Sequence, residues 1–161
     1  MITQARLHEL LSYDPETGVF IRRVKSGNII AGQIAGGVRK DGYLQISIDN
    51  RRYLSHRLAW LYVHGAFPEH DTDHIDGNRQ NNAIRNLRAV TRSTNLQNLR
   101  RSKSTNKSTG LLGVTKLADG RYMAQITANK VHRYIGTFAK PQDASDAYLA
   151  EKRRVHAGCT I

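Results

Sequence analysis

The sequence predicts an α+β protein built from several small modules. Its 161 residues suffice for one ordinary domain or for two or three small ones. Segments with strand alternation and segments with helical periodicity follow one another along the chain. The charge also changes along the chain, from basic to neutral near the middle and back to basic. We place the module boundaries at residues 1–55, 56–99, 100–109 and 110–161.

The first module is predicted to form a short helix and a small antiparallel sheet. Apolar residues recur at helical spacing within residues 3–12, and strands are predicted at 19–24 and 43–48. A turn at Asp49-Asn50 is followed by Arg51 and Arg52. Basic residues at the turns of the predicted sheet indicate a surface that contacts a polyanion.

The second module begins with a helix predicted over residues 56–64 and ended by Gly65. The apolar positions predicted to face the core are Leu58, Trp60, Leu61 and Val63. His56 at the start of this helix is compatible with a packed or capping role and with a phosphate contact. Both interpretations stay open.

The last two modules are a polar linker and a second sheet. Residues 97–109 contain almost no apolar side chain and no acid, which predicts a linker. Strands are predicted at 112–117, 121–128 and 131–138. A helix then starts at Pro141, which suits a first helical turn.

Composition limits the function classes. The net charge is +12, from 25 basic and 13 acidic residues, and predicts a polyanionic partner. The single cysteine, Cys159, excludes a disulfide framework and a cysteine zinc site. With no membrane-length apolar stretch and no signal-peptide pattern, we expect a cytoplasmic protein that is not secreted. If a phage encodes it, that is the cytoplasm of the bacterial host.

An acidic cluster interrupts this basic chain between residues 69 and 76. Its members are Glu69, Asp71, Asp73 and Asp76. A cation site would need such a cluster, whereas a passive phosphate-binding surface would avoid it. A solvated acidic turn is the alternative.

The order of residues around this cluster carries a family resemblance. Asp73-His74-Ile75-Asp76-Gly77-Asn78 is followed by Asn86-Leu87-Arg88-Ala89-Val90-Thr91 and by Asn95. Over residues 56–99 this pattern resembles the HNH endonuclease motif. The resemblance implies a ββα-metal core, in which a β-hairpin packs on a helix, and DNA cleavage that leaves a 5′-phosphate and a 3′-hydroxyl.

Four residues of this motif are the candidate site. Phosphodiester hydrolysis needs an activated water and a cation, so His74 is the candidate general base. Asp73 and Asn95 offer hard oxygens to one Mg²⁺ or Mn²⁺ ion. The resemblance further implies that Asn86 accepts a hydrogen bond from the far ring nitrogen of His74. The last position is asparagine here and not the histidine of the motif's name.

Other polar residues near the motif are assigned to loop structure. Asp76-Gly77-Asn78 predicts a turn, and Asn81-Asn82 are predicted to hold loop backbone.

The C-terminal module resembles the AP2 DNA-binding domain over about residues 110–158. The match rests on Leu112-Gly113-Val114, Tyr134-Ile135-Gly136-Thr137-Phe138 and Asp143-Ala144 with Ala147-Tyr148, and on the strand from Gly120 to Ile126. The resemblance implies that the sheet lies in the major groove of DNA. Strand alternation places Tyr122, Ala124 and Ile126 toward the helix, with Arg121, Met123, Gln125 and Thr127 on the DNA side.

The candidate DNA-binding residues come from the linker and this sheet. They are Arg100, Arg101, Lys103, Lys107, Lys116, Arg121, Gln125, His132 and Tyr134. The linker cations are expected to become ordered along a groove when DNA binds. Lys116, Arg121 and Arg133 are either phosphate contacts or merely solvated.

These features together predict a site-specific homing endonuclease of phage or intron type. We expect it to act as a monomer on double-stranded DNA and to nick one strand, because one catalytic constellation is visible. No small-molecule substrate and no membrane partner are expected. The alternatives are a catalytically inactive sequence-specific DNA-binding regulator and a basic RNA-binding protein.

Overall fold

A computed structural model describes residues 1–25, 27–100, 102 and 106–160. The chain divides into two compact units, Met1–Arg92 and Ser93–Ile161, called the first and second units below. Among the helices described, none has the length and apolar content needed to span a membrane. The architecture is mixed α+β with small antiparallel sheets, which confirms the predicted fold class.

The first unit is a succession of short elements. They are α1 (Gln4–Leu10), β1 (Leu11–Tyr13), β2 (Phe20–Arg22), β3 (Gly37–Val38), β4 (Leu44–Ile48), β5 (Arg51–Leu54), α2 (Ser55–His64), β6 (Asp71–His74) and β7 (Leu87–Val90). The predicted N-terminal sheet is in fact two sheets, β1–β2 and β3–β4–β5. Among the described residues, no strand of one sheet pairs with a strand of the other. Ile21 of β2 forms an isolated bridge with Ile34, which lies in the loop before β3.

A single apolar cluster holds these elements together. Leu7 of α1, Phe20 of β2, Ile46 of β4 and Leu58 of α2 are all buried in it. Burial of apolar surface is the main stabilising term for so small a unit. Val63 is exposed although the helical pattern predicted it to be buried, because the last turn of α2 lies at the edge of the core.

The hairpin of β6 and β7 positions the candidate site. The two strands are antiparallel, with Asp73 opposite Arg88 and His74 opposite Leu87. Residues 75–86 form the connection, which ends in one 3-10 turn over Ile84–Asn86. His74 and the start of β7 therefore lie at the same end of the hairpin, facing the connection.

The second unit contains α3 (Arg92–Gln97, beginning at the unit boundary), β8 (Val114–Lys116), β9 (Tyr122–Ala128), β10 (Val131–Phe138) and α4 (Pro141–Val155). The sheet order is β10–β9–β8, and all pairs are antiparallel. Ala124, Ile126 and Tyr148 are buried where α4 packs on the sheet. The predicted alternation is therefore present: the residues between them on β9 lie on the opposite, outward face.

Candidate active site

Two of the predicted site residues end strand β6. Asp73 and His74 are the last residues of that strand, and both are buried, at 7% and 3% exposure. Asn86, at the end of the connection, is also buried. Three of the four predicted residues are thus gathered at one end of the hairpin in the first unit.

The ring of His74 is held by an asparagine that the sequence did not single out. Nε2 of His74 donates to Oδ1 of Asn82 at 3.0 Å, and Asn82 is fully buried. Asn82 turns its Nδ2 group to the carbonyl of Gln80 at 3.2 Å, which fixes the direction of its amide. Because a carbonyl oxygen only accepts, the proton of the neutral ring sits on Nε2 and the lone pair on Nδ1.

Asn86 does not make the predicted hydrogen bond to His74. Its Oδ1 accepts from the backbone N–H of Asp76 at 3.0 Å. Its Nδ2 donates to Oδ1 of Asp76 at 2.9 Å and to the carbonyl of Asn81 at 2.8 Å. The loop therefore uses both ends of the Asn86 amide, and Asn82 takes the place beside the ring.

Asp73 forms an ion pair across the hairpin. Nε and one terminal nitrogen of Arg88 donate to the same oxygen, Oδ2 of Asp73, at 3.0 and 2.8 Å. The side chains are 25% and 9% exposed. An ionised carboxylate has about four lone-pair positions, so a pair at one oxygen is compatible with a hard cation on the same group. The Asp73 carboxylate is a hard oxygen donor of the kind that Mg²⁺ and Mn²⁺ prefer.

The surroundings of His74 favour its neutral form. Burial lowers the pKa of His74 below its ordinary value, while the hydrogen bond to Asn82 and the carboxylates of Asp76 and Asp73 oppose that shift. A neutral imidazole can accept a proton near pH 7, whereas an imidazolium cannot. The arrangement can therefore supply a base.

A second histidine packs against the first. The rings of His56 and His74 meet edge to face at 5.0 Å between centroids, and Tyr43 lies within 6 Å of both. Arg79 stacks on Tyr43 at 4.8 Å. His56 is 5% exposed and its Nδ1 has no hydrogen-bond partner among the described residues. Of its two open interpretations, the structure favours the packed one.

The N-terminal strands support the connection that carries Asn82. Tyr13 donates from its hydroxyl to the backbone carbonyl of Asn82 at 2.7 Å, and the N–H of Ile84 donates to the carbonyl of Pro15 at 3.0 Å. A Cβ at Gly18 would lie 2.2 Å from the backbone carbon of Asn82. The first module was predicted only to contact a polyanion, and this buttressing role gave no signal in the sequence.

The fourth predicted residue, Asn95, lies on α3 in the second unit and is half-buried. Its backbone carbonyl accepts from the N–H of Asn98 at 3.1 Å. Among the residues that the structure describes, no three His, Cys, Asp or Glu side chains form a metal-holding group. The proposed ligand set combines one carboxylate, Asp73, with the amide oxygen of Asn95, so it does not contain three side chains of those types.

The candidate DNA-binding residues that the structure describes lie in the second unit. Gln125, His132 and Tyr134 are on the outward face of its sheet. Arg121 is exposed but pairs with Asp119 at 2.8 Å, and Arg100 donates to Thr160 at 3.1 Å. Lys107 and Lys116 are exposed, whereas Arg101 and Lys103 lie outside the described residues.

The segment that contains this site matches a known family. Residues 53–97 match the family model described as HNH endonuclease, and they include Asp73, His74, Asn82, Asn86 and Asn95. An uncharacterized HNH endonuclease of Acanthamoeba polyphaga mimivirus is 32% identical over 111 residues, 68% of this chain and 56% of that protein. The chain thus spans little more than half the length of the curated relative it matches.

One solved structure is also similar. It describes DNA binding and cleavage by the HNH homing endonuclease I-HmuI. The sequence identity is 22% and the TM-score 0.45, and the match covers 92% of this chain and 88% of that one.

Proposed function

We propose that this chain is a site-specific HNH endonuclease that hydrolyses a phosphodiester bond of double-stranded DNA. The observation that carries the proposal is the buried imidazole of His74, held as a neutral ring next to the buried carboxylate of Asp73. Both side chains lie in the segment that matches the HNH endonuclease model. The products are a 5′-phosphate and a 3′-hydroxyl.

His74 acts as the general base. Nδ1 carries the lone pair of the neutral ring, because Nε2 keeps its proton to donate to Asn82. Nδ1 takes a proton from the water that attacks the phosphorus atom. Asn82 therefore acts as a positioning residue, since it fixes both the ring and its tautomer.

One divalent ion, Mg²⁺ or Mn²⁺, would be held by Asp73 and Asn95. When bound, it stabilises the negative charge that develops on the phosphate and on the leaving oxygen. Arg88 fixes the direction of the Asp73 carboxylate through two N–H groups. Asn86 contributes by holding Asp76, two residues after His74, through its backbone N–H and its carboxylate.

DNA binding would be shared between the basic linker and the outward face of the second unit's sheet. Arg100, Arg101, Lys103 and Lys107 supply four positive charges within eight residues, and such charges bind phosphates without sequence preference. The three-stranded sheet backed by α4 is compatible with an AP2-like reader in the major groove. With one catalytic constellation, a monomer nicks one strand.

A plasmid assay tests the proposal. A pool of supercoiled plasmids that carry a random library is incubated with the full chain and Mg²⁺, and the nicked products are sequenced. We expect nicks at a preferred site and at least about a 100-fold lower rate for His74→Ala, with DNA affinity nearly unchanged. His70→Ala, which removes an exposed histidine of the same unit, is the matched control and should nick like the parent chain.

The two alternatives give different results. Pure protein that binds a preferred duplex with Mg²⁺ present but leaves every plasmid supercoiled would favour the DNA-binding regulator. Preference for structured RNA over duplex DNA at matched salt would favour the RNA-binding protein. Either result contradicts the nuclease.

A further inference from the structure

The outward face of the second unit's sheet carries a row of polar side chains in register. His132 of β10 lies opposite Thr127 of β9, and Tyr134 lies opposite Gln125. Paired residues of adjacent strands point to the same face, so these four side chains are neighbours on it. The two strands are joined by the tight turn at Asn129-Lys130, where both residues have positive φ.

Three of these side chains form a continuous hydrogen-bonded chain. Oγ1 of Thr127 lies 3.0 Å from Nδ1 of His132, and Nε2 of His132 lies 3.0 Å from Oε1 of Gln125. Oε1 is a carbonyl oxygen and only accepts, so Nε2 of His132 donates to it. In the neutral ring Nδ1 is then the acceptor, and the Thr127 hydroxyl donates.

In the structure this chain accompanies one direction of the Gln125 amide, with its oxygen facing His132. Its oxygen is engaged by His132, and its NH₂ group has no acceptor among the residues that the structure describes. Gln125 is half-exposed on the outward face. The amide therefore presents two N–H donors, and its oxygen is turned aside toward His132.

A glutamine free to use both ends of its amide matches adenine, which offers one acceptor and one donor in the major groove. A glutamine that presents donors alone matches guanine, whose N7 and O6 are both acceptors. The amino group of adenine would face an N–H donor instead. We propose that Gln125 selects guanine in the major groove, with Thr127 and His132 as the positioning residues that impose this choice.

Charge on this face is compatible with that contact. The segment 112–138 contains one acidic residue, Asp119, which pairs with Arg121. The other acids of the second unit, Asp143, Asp146 and Glu151, lie on α4 behind the sheet. A β-ribbon of this width can enter the major groove. The inference rests on the proposed DNA binding but is independent of the cleavage chemistry.

Selection of duplexes tests the inference without cleavage. The full chain is incubated in EDTA with random duplex DNA, and bound sequences are compared for the parent chain, Gln125→Glu and Thr127→Val. We expect one position with a guanine preference of about tenfold or more. Gln125→Glu replaces donors by acceptors, so this position should change to cytosine, whose N4 group donates. Thr127→Val removes the hydroxyl that contacts the His132 ring, so the Gln125 amide can turn over. The frequency of adenine should then increase at the same position.

Gln142→Glu is the matched control, because it adds the same charge to the same unit on α4 and should leave the preference intact. Circular dichroism checks that each variant is folded. An adenine preference at this position, or a base preference that Gln125→Glu leaves unchanged at every position, overturns the inference while nicking in Mg²⁺ still supports the nuclease. A chain that neither binds duplex DNA nor nicks it overturns both.

Discussion

Oδ1 of Asn82 lies 3.0 Å from Nε2 of His74 and joins the middle of the 75–86 connection to the end of β6. Asn82 is also held through its backbone, because its main-chain carbonyl accepts a hydrogen bond from the hydroxyl of Tyr13. The base of the proposed reaction is therefore oriented by a chain of contacts that begins in the N-terminal strands. Asn82 determines which ring nitrogen carries the proton of the neutral imidazole.

Replacing Asn82 by alanine should lower the nicking rate by about 10- to 100-fold, because residues that orient a catalytic or ligating histidine have effects of that size. Asn82→Asp keeps an acceptor for Nε2 and should recover much of the rate. Its carboxylate would raise the pKa of His74, so the pH–rate profile should move toward alkaline pH. A profile that stays in place and an Asn82→Ala rate equal to the parent's would contradict the assignment.

The asparagines of the 75–86 connection show how much of the site could be predicted from the sequence. The motif resemblance implied the β-hairpin, and strand alternation predicted the outward face of β9, because motif spacing and periodicity are local. Which of Asn81, Asn82 and Asn86 meets the ring depends on how a 12-residue connection folds. That is a tertiary result, and the preference of asparagine for turns applies equally to all three.

The supporting role of the first sheet had no local signal at all. Gly18 follows Asp14-Pro15-Glu16-Thr17, which predicts a turn in any protein. Its closeness to the Asn82 backbone becomes visible only when residues 64 positions apart in sequence are brought together. Contacts between distant loop backbones leave no periodic pattern to detect.

Gly18→Ala should destabilise the first unit and slow nicking together. The new Cβ would lie 2.2 Å from the backbone of Asn82 and 2.3 Å from that of Ala83, and neither can yield as a flexible side chain would. Gly32→Ala is the control, because Gly32 also has positive φ but no atom within 4 Å of an added Cβ. Urea denaturation should give a loss for Gly18→Ala that exceeds the control's by about 2 kcal/mol. Equal losses of stability in the two variants would mean that the positive φ angle, and not the contact with Asn82, accounts for the effect.

The ion pair of Arg88 and Asp73 should contribute measurably to stability. Arg88→Met removes this ion pair from the buried Asp73 carboxylate and should lower the free energy of unfolding by about 2 kcal/mol. The control is Arg85→Met, whose partner Glu16 is 2.6 Å away but whose side chains are 74% and 71% exposed. Water screens such a pair, so we expect a change below about 1 kcal/mol. Similar losses in urea for both variants would exclude a special role for the Asp73 pair.

The buried ring of His56 should make the first unit sensitive to acid. Burial, and to a smaller extent the neighbouring His74 and Arg57 side chains, lowers the pKa of His56 from 6.5 to about 3. Between these pH values the unfolded chain binds the proton and the folded chain does not, so this contribution to stability is complete above pH about 6.5 and is lost progressively as the pH falls. From pH 7.5 to pH 4.5 the loss is about 3 kcal/mol. His56→Gln should remove that part of the pH dependence of stability. A smaller pH dependence should remain, because the pKa of His74 is also lowered in the folded chain.

His70→Gln, at an exposed histidine, is the control and should retain the parent's full pH dependence. Unfolding in urea at the two pH values measures the stability of all three chains. A His56→Gln variant that loses as much stability on acidification as the parent would show that His56 accepts its proton in the folded chain.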